Sequence, residues 1–105
     1  MLWALERAPG RRVLDLGAGT GKLTGTLLTL GAEVVAVEPD PAMLGELRGA
    51  LPAVRALSGS AETLPLPDES IDAVLAGNAL HWFDMDVAGP EIARVLRPGG
   101  VLAGL

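Results

Sequence analysis

The chain has 105 residues, of which half are apolar, a fifth are charged and none is cysteine. This composition excludes an intrinsically disordered chain and thiolate metal sites, and a single histidine cannot form a His-rich metal site. The net charge of −5 disfavours a nucleic-acid surface, and neither a membrane-spanning apolar run nor a secretory signal is visible. We therefore expect one small domain over residues 1–105, cytoplasmic, without bound metal, nucleic acid or membrane.

The predicted elements alternate between strands and helices along the chain. Leu23, Leu27 and Leu30 recur at helical spacing before Gly31, and Asp40 resembles a helix N-cap because proline follows it. In chain order we predict a strand at Arg12–Leu16, a helix over about 20–30, a strand at Glu33–Glu38, a helix over about 41–51, strands at Val54–Leu57 and Ile71–Ala76, a helix over about 84–96 and a strand at Val101–Leu105.

Three connecting segments depart from this regular pattern. Residues 58–70 are polar, contain proline and are too few for a full crossover helix, so we expect irregular chain or a single turn. Gly89 and Pro90 should kink the last helix or delay its start, and residues 97–100 should form a turn. The alternation of strands and helices predicts an α/β domain with a parallel sheet.

A glycine cluster, Gly17, Gly19 and Gly21, joins the first strand to the first helix. Glycine permits left-handed backbone and close approach of a ligand, and the following helix directs free N–H groups into the same crevice. Glu38 closes the second strand, where an acid can accept hydrogen bonds from a ribose diol. Each feature alone also fits a plain turn or a solvated acid, but together they predict a nucleoside-type ligand.

The spacing of this cluster departs from the dinucleotide-binding fingerprint G-x-G-x-x-G. Lys22 stands at the position of the third glycine, and Asp15 would be a poor neighbour for a pyrophosphate. Asp15 suits a ligand that carries positive charge. An NAD(P)-binding domain is therefore the alternative rather than the first prediction.

Five motifs follow one another in order across nearly the whole chain. They are VLDLGAGTG at 13–21, VAVEPD at 35–40 with Met43-Leu44, GSAETLP at 59–65, DAVLA at 72–76 with NALHWFD at 78–84, and RVLRPGG at 94–100. With these motifs the sequence resembles the class I S-adenosylmethionine-dependent methyltransferases, and within them the trans-aconitate and ubiquinone/menaquinone type. The resemblance implies a Rossmann-like open sheet in the order 3-2-1-4-5 with flanking helices, S-adenosylmethionine as cofactor and a small-molecule methyl acceptor as partner.

The resemblance also implies roles for individual residues. In cofactor binding these are Asp15 near the ammonium group, Gly17, Gly19 and Gly21 around the methionine part, Glu38 at the ribose hydroxyls, Pro39 and Met43 beside the adenine or ribose, Ser60, Ala61 and Glu62 in the adenine loop, and Asn78 beside the sulfonium centre. Many members of that family have Asp at the position of Ser60, so the contact with the adenine amino group should be weaker here.

His81 is the candidate catalytic residue, as a base or hydrogen-bond donor that faces the acceptor. The alternative is that His81 only caps a turn, and for Trp82 and Phe83 core packing is favoured over a cation–π contact. A catalytic triad is not needed, because methyl transfer depends mainly on alignment and a dry site.

The family domain normally has seven strands, so the resemblance covers its cofactor half and implies a truncated chain that lacks the last two strands. The fifth strand would then be an unprotected sheet edge beside exposed apolar faces. We therefore expect a homodimer to form through that edge or those faces. The alternative function is a non-catalytic fragment that binds the cofactor or only a partner chain.

Overall fold

The computed structural model describes residues 8–76 and 84–104. The described part consists of five strands and three helices. In chain order they are β1 (Arg12–Leu16), α1 (Lys22–Thr29), β2 (Glu33–Glu38), α2 (Pro41–Ala50), β3 (Arg55–Ser58), β4 (Ile71–Ala76), α3 (Met85–Val95) and β5 (Leu96–Gly104).

The strands form one parallel sheet in the order β3-β2-β1-β4-β5. This order confirms the predicted Rossmann-like α/β sheet. Because β1 lies between β2 and β4, the chain reverses its direction of travel across the sheet after β3. The switch point therefore lies between β1 and β4, and open α/β sheets bind ligands outside the carboxyl ends of the strands at such a point.

The two faces of the sheet bury separate apolar clusters. Leu27 of α1 packs with Val13 and Leu75 on one face, which α2 also covers through Leu47. On the other face, α3 and the segment after β3 pack over Leu14 and its neighbours. Burial on both faces explains why β1, β2 and β4 contain nearly continuous apolar runs, as parallel strands usually do.

Local sequence signals account for the start of α2. Asp40 has extended backbone, and its carboxylate accepts hydrogen bonds from the N–H groups of Ala42 at 2.9 Å and Met43 at 3.3 Å. Pro41 follows at the first helical position, where its missing N–H costs nothing. The predicted N-cap is thus confirmed.

Segment 59–70 contains no helix, in agreement with the expected irregular crossover. Two other boundaries differ slightly from prediction: β3 begins and ends one residue later, and α3 begins at Met85 without any delay. The helix runs through Gly89 and Pro90. Asp84 caps its first turn, and burial of its apolar face against the sheet compensates for the proline.

The prediction of a separate turn at residues 97–100 is wrong, because β5 already begins at Leu96. Leu96 pairs with Ile71, but the next pair is Val101 with Ala73, so β5 carries extra residues as an irregular bulge. Gly99 lies there with a φ of +83°, a left-handed conformation that favours glycine. The glycines therefore shape a bulge within the strand.

Asp72 is a buried acid in the middle of the bulged region, with 1% of its surface exposed. It accepts a hydrogen bond from the N–H of Arg12 at 2.9 Å and one from the guanidinium of Arg97 at 3.2 Å. These partners satisfy a charge that would otherwise be costly to bury. Asp72 thus joins β4 to the start of β1 and to the bulge of β5.

Within 8–76 and 84–104, no helix combines the length and the apolar character that crossing a bilayer requires. The same residues contain no grouping of three or more histidine or acidic side chains arranged to hold a metal ion.

Candidate functional site

A cleft of about 370 Å³ lies at the carboxyl ends of β1 and β2. Its size falls within the usual range of small-molecule sites. The glycine turn after β1 forms one side, and the segment after β3 forms the other. The lining residues are Leu16, Gly17, Gly19, Glu38, Pro39, Met43, Gly59, Ser60, Ala61 and Glu62.

Most residues predicted to bind a cofactor are brought together along this cleft, although their separation in the chain is large. Asp15 and Gly21 are exceptions and do not line it. Asn78 and the candidate catalytic residue His81 lie outside the described residues, as do Trp82 and Phe83. The sequence analysis did not assign Leu16 or Gly59 to the site, although both adjoin predicted site residues.

The glycine turn is held against the end of β2. The N–H groups of Gly17 and Ala18 both donate to the carbonyl oxygen of Val37, at 2.9 and 3.2 Å. Gly17 and Gly19 have φ values of +68° and +60°. In this left-handed region most residues other than glycine are strained. Within residues 8–76 and 84–104, no atom lies within 4 Å of a Cβ placed at Gly19.

Glu38 is the buried carboxylate of the cleft, with 5% of its surface exposed. Its Oε1 accepts a hydrogen bond from the N–H of Gly19 at 2.7 Å, and its Oε2 accepts one from Asp40 at 2.8 Å. An ionised carboxylate can accept about four hydrogen bonds, so about two acceptor positions remain. Glu38 is therefore fixed by the backbone and can still bind hydroxyl groups in the cleft.

Asp15 is buried behind the glycine turn, on the α1 side, and accepts a hydrogen bond from the hydroxyl of Thr24 at 2.5 Å. Burial raises the pKa of the Asp15 carboxyl, and the nearby charge of Glu38 acts in the same direction against the hydrogen bond from Thr24. Because Asp15 does not line the cleft, this geometry gives it no direct contact with a ligand there.

Gly21 is also placed differently from its predicted role. It is the N-cap of α1 with a φ of +98°, and a Cβ there would lie 3.2 Å from Leu51 and 3.3 Å from Leu47. Its lack of a side chain thus allows α1 to pack closely against α2. Gly21 therefore contributes to helix packing and does not line the cleft.

The wall opposite the glycine turn is a short turn held to the start of α3. The N–H of Thr63 donates to the carbonyl of Ser60 at 3.2 Å, and Ala61 is buried. Glu62 accepts a hydrogen bond from the N–H of Asp84 at 3.1 Å, the main reason that the pKa of its carboxyl is lowered. Glu62 therefore connects this wall to α3.

A wider and more open cleft of about 680 Å³ lies at the opposite edge of the sheet, beside the bulge of β5. The guanidinium groups of Arg94 and Arg97 border it, but they already pair with Asp68 at 2.8 Å and Asp72 at 3.2 Å. Because its cations are engaged and it lies away from the carboxyl ends of the strands, it is the weaker candidate for a ligand site.

The raised pKa of Asp15 predicts a pH-dependent effect of Asp15→Asn. Between the unfolded and folded pKa values, the native state binds more protons, so the wild-type chain loses stability as pH rises. The variant lacks this loss, so its free energy of unfolding relative to wild type should increase as the pH rises from the ordinary Asp pKa of 3.8 to about 7.5. Urea unfolding at both pH values measures this difference, and a constant or decreasing difference would contradict the assignment.

Comparison with known proteins identifies the family. The model of the methyltransferase domain matches residues 14–104, which includes both walls of the cleft. The chain belongs to this methyltransferase domain family.

Similar proteins agree with this membership. The methyltransferase domain is 61% identical over 100 residues to an uncharacterised methyltransferase of Mycobacterium tuberculosis, covering 95% of this chain and 41% of that protein. It is 44% identical to the malonyl-[acyl-carrier protein] O-methyltransferase of Methylococcus capsulatus, covering 90% and 37%. An S-adenosylmethionine-dependent methyltransferase of Mesorhizobium loti superimposes with a TM-score of 0.82 at 27% identity, covering 93% and 47%. The chain thus spans less than half the length of each.

Proposed function

We propose that this methyltransferase domain binds S-adenosylmethionine in the cleft, and that the protein transfers the methyl group to a small-molecule acceptor. The observation that carries the proposal is the buried carboxylate of Glu38. Two backbone N–H groups orient it, and it faces a glycine turn in which no described atom lies within 4 Å of a Cβ placed at Gly19. A nucleoside with a free ribose diol matches these acceptors.

The other lining residues fit the remaining parts of such a ligand. Leu16, Pro39 and Met43 give apolar surface on which an adenine or ribose can lie, and Ser60 adds a hydroxyl in the opposite wall. Gly17 and Gly19 leave room for the amino acid part beside the turn. The carboxylate of Asp15, behind the turn, could act on the ammonium group only at longer range or through water.

When bound, the cofactor supplies a methyl group already activated by positively charged sulfur. The chain's own residues bind and orient the adenosine part and keep water from its apolar surfaces. Asn78 and His81 follow β4 in sequence, and we propose them for the sulfonium side of the site and for proton transfer with the acceptor. Their roles rest on the family resemblance.

A calorimetric titration with S-adenosylhomocysteine tests the proposal, with NAD as the control. We expect binding of S-adenosylhomocysteine and none of NAD, because Lys22 replaces the third glycine of the dinucleotide fingerprint. Absence of S-adenosylhomocysteine binding by a chain that is folded by circular dichroism would contradict the proposed cofactor. Binding without methyl transfer to any of a panel of acceptors would favour the non-catalytic alternative.

Self-association of this chain is a separate prediction. In the part that the structure describes, β5 pairs only with β4, and Leu102 on β5 is among the exposed large apolar side chains. An open strand edge beside apolar surface favours pairing with a second copy. Sedimentation at tens of micromolar should detect a homodimer, and a clean monomer would refute this expectation.

A further inference from the structure

Glu91 and Arg94 of α3 bind residues 64–68, the segment that follows the cleft wall at residues 60–62. All five N–H donors of the Arg94 guanidinium have acceptors. They bind both carboxylate oxygens of Glu91 at 2.7 and 3.1 Å and Asp68 at 2.8 Å. The remaining two bind the carbonyl oxygens of Leu66 at 2.8 Å and Leu64 at 3.1 Å.

Glu91 completes this arrangement from the other side. Its Oε2 accepts a hydrogen bond from the N–H of Leu64 at 2.6 Å, so both backbone polar groups of Leu64 bind the pair. The side chains of Leu64 and Leu66 are buried in the core beneath α3. The segment is therefore fixed through its backbone and its side chains together.

A tight turn at residues 60–63 connects the bound segment 64–68 to the cleft. Residues 60 and 63 form an isolated antiparallel bridge, and the space beside Gly59 is filled by Pro65, whose Cδ would lie 2.9 Å from an added Cβ. Ala61, which lines the cleft, belongs to the same buried cluster as Leu64. A shift of Leu64 would thus displace the wall at residues 60–62.

We infer that Glu91 and Arg94 are positioning residues that set the affinity of the cleft for the adenosine part of its ligand. The inference rests on the proposed function. Neither residue lines the cleft, so they act through the wall formed by Ser60, Ala61 and Glu62. The planar guanidinium of Arg94 donates to five acceptor atoms at once, a geometry that a lysine ammonium cannot reproduce.

Arg94→Lys tests this inference, with Arg97→Lys as the matched control. Both arginines are partly exposed, Arg94 over 33% and Arg97 over 44% of the side chain. Each binds a carboxylate, and each binds a backbone carbonyl in the segment between β3 and β4. Arg97 binds Glu69 and Asp72 rather than the residues next to the wall. Binding is measured calorimetrically at a temperature where urea unfolding shows all three proteins to be folded.

We expect Arg94→Lys to weaken the binding of S-adenosylhomocysteine about tenfold, and that of methylthioadenosine by the same factor, because both share the adenosine part. Arg97→Lys should bind both ligands as wild type does. Unchanged affinity in Arg94→Lys, or an equal loss in Arg97→Lys, would overturn the inference alone. So would a loss confined to S-adenosylhomocysteine. Absence of binding by wild type would overturn the proposed function and this inference with it.

Discussion

Glu38→Ala should abolish most of the affinity for S-adenosylhomocysteine. The substitution would remove the two charge-assisted contacts that we propose with the ribose hydroxyls, at an expected cost of about 1.5–3 kcal/mol of binding free energy. It also leaves the N–H groups of Gly19 and Asp40 without the acceptors that they have in the structure. We therefore expect a further loss of about 1–3 kcal/mol in the free energy of unfolding. Calorimetric titration and urea unfolding measure the two effects.

Glu33→Ala is the matched control for this experiment, because Glu33 begins the strand that Glu38 ends. Glu33 is exposed over 71% of its side chain and lies 3.8 Å from Arg12. An exposed pair of this kind contributes at most about 1 kcal/mol, so both affinity and stability should stay close to wild type. If Glu38→Ala binds S-adenosylhomocysteine as tightly as Glu33→Ala does, Glu38 is not in the site.

Gly19→Asn should give a folded chain that no longer binds S-adenosylhomocysteine detectably. Asparagine tolerates left-handed backbone better than valine or alanine, and a Cβ at this position meets no atom of the described residues within 4 Å. The free energy of unfolding should therefore fall by no more than about 1 kcal/mol. The new side chain would occupy the cleft, so affinity should fall by at least about a hundredfold, or about 2.7 kcal/mol.

Gly31→Asn separates this loss from the effect of backbone conformation alone. Gly31 follows α1 with a φ of +83° and does not line the cleft. Of the atoms that the structure describes, a Cβ there meets the end of the flexible Arg11 side chain, at 3.1 Å. The variant should lose similar stability and keep its affinity. Retained binding in Gly19→Asn would show that the space beside Gly19 is not used by the ligand.

The sequence was sufficient to predict β1, β2 and β4 to the residue, because each is an apolar run between clear turn signals. The strand order followed from the family resemblance. The bulge of β5 was not predictable from local signals, because Gly99 and Gly100 are equally typical of a turn. Residues 96–100 belong to β5 because Leu96 pairs with Ile71 of β4, a contact between distant parts of the chain.

The cleft illustrates the same limit. The glycine turn and Glu38 were predictable because residue type and spacing specify them. The placement of Asp15 could have been predicted, because successive side chains of a strand point to opposite faces of the sheet. Asp15 therefore lies on the face opposite Leu14 and Leu16, and Leu16 rather than Asp15 lines the cleft. The contacts of Arg94 with Leu64, Leu66 and Asp68 join residues 26 to 30 positions apart, and no local pattern indicates them.

Among the residues that the structure describes, those that line the cleft lie between Leu16 and Glu62, in the stretch that precedes β4. The two walls of the cleft, residues 17–19 and 59–62, meet only when β1, β2 and β3 pair in parallel, so closing the chain carries an entropic cost and the walls are expected to form slowly. During synthesis, these described lining residues leave the ribosome before β4, α3 and β5, which pack beside them. Substitutions after β4 therefore act on these described lining residues only through packing, as the contacts of Glu91 and Arg94 with Leu64 do.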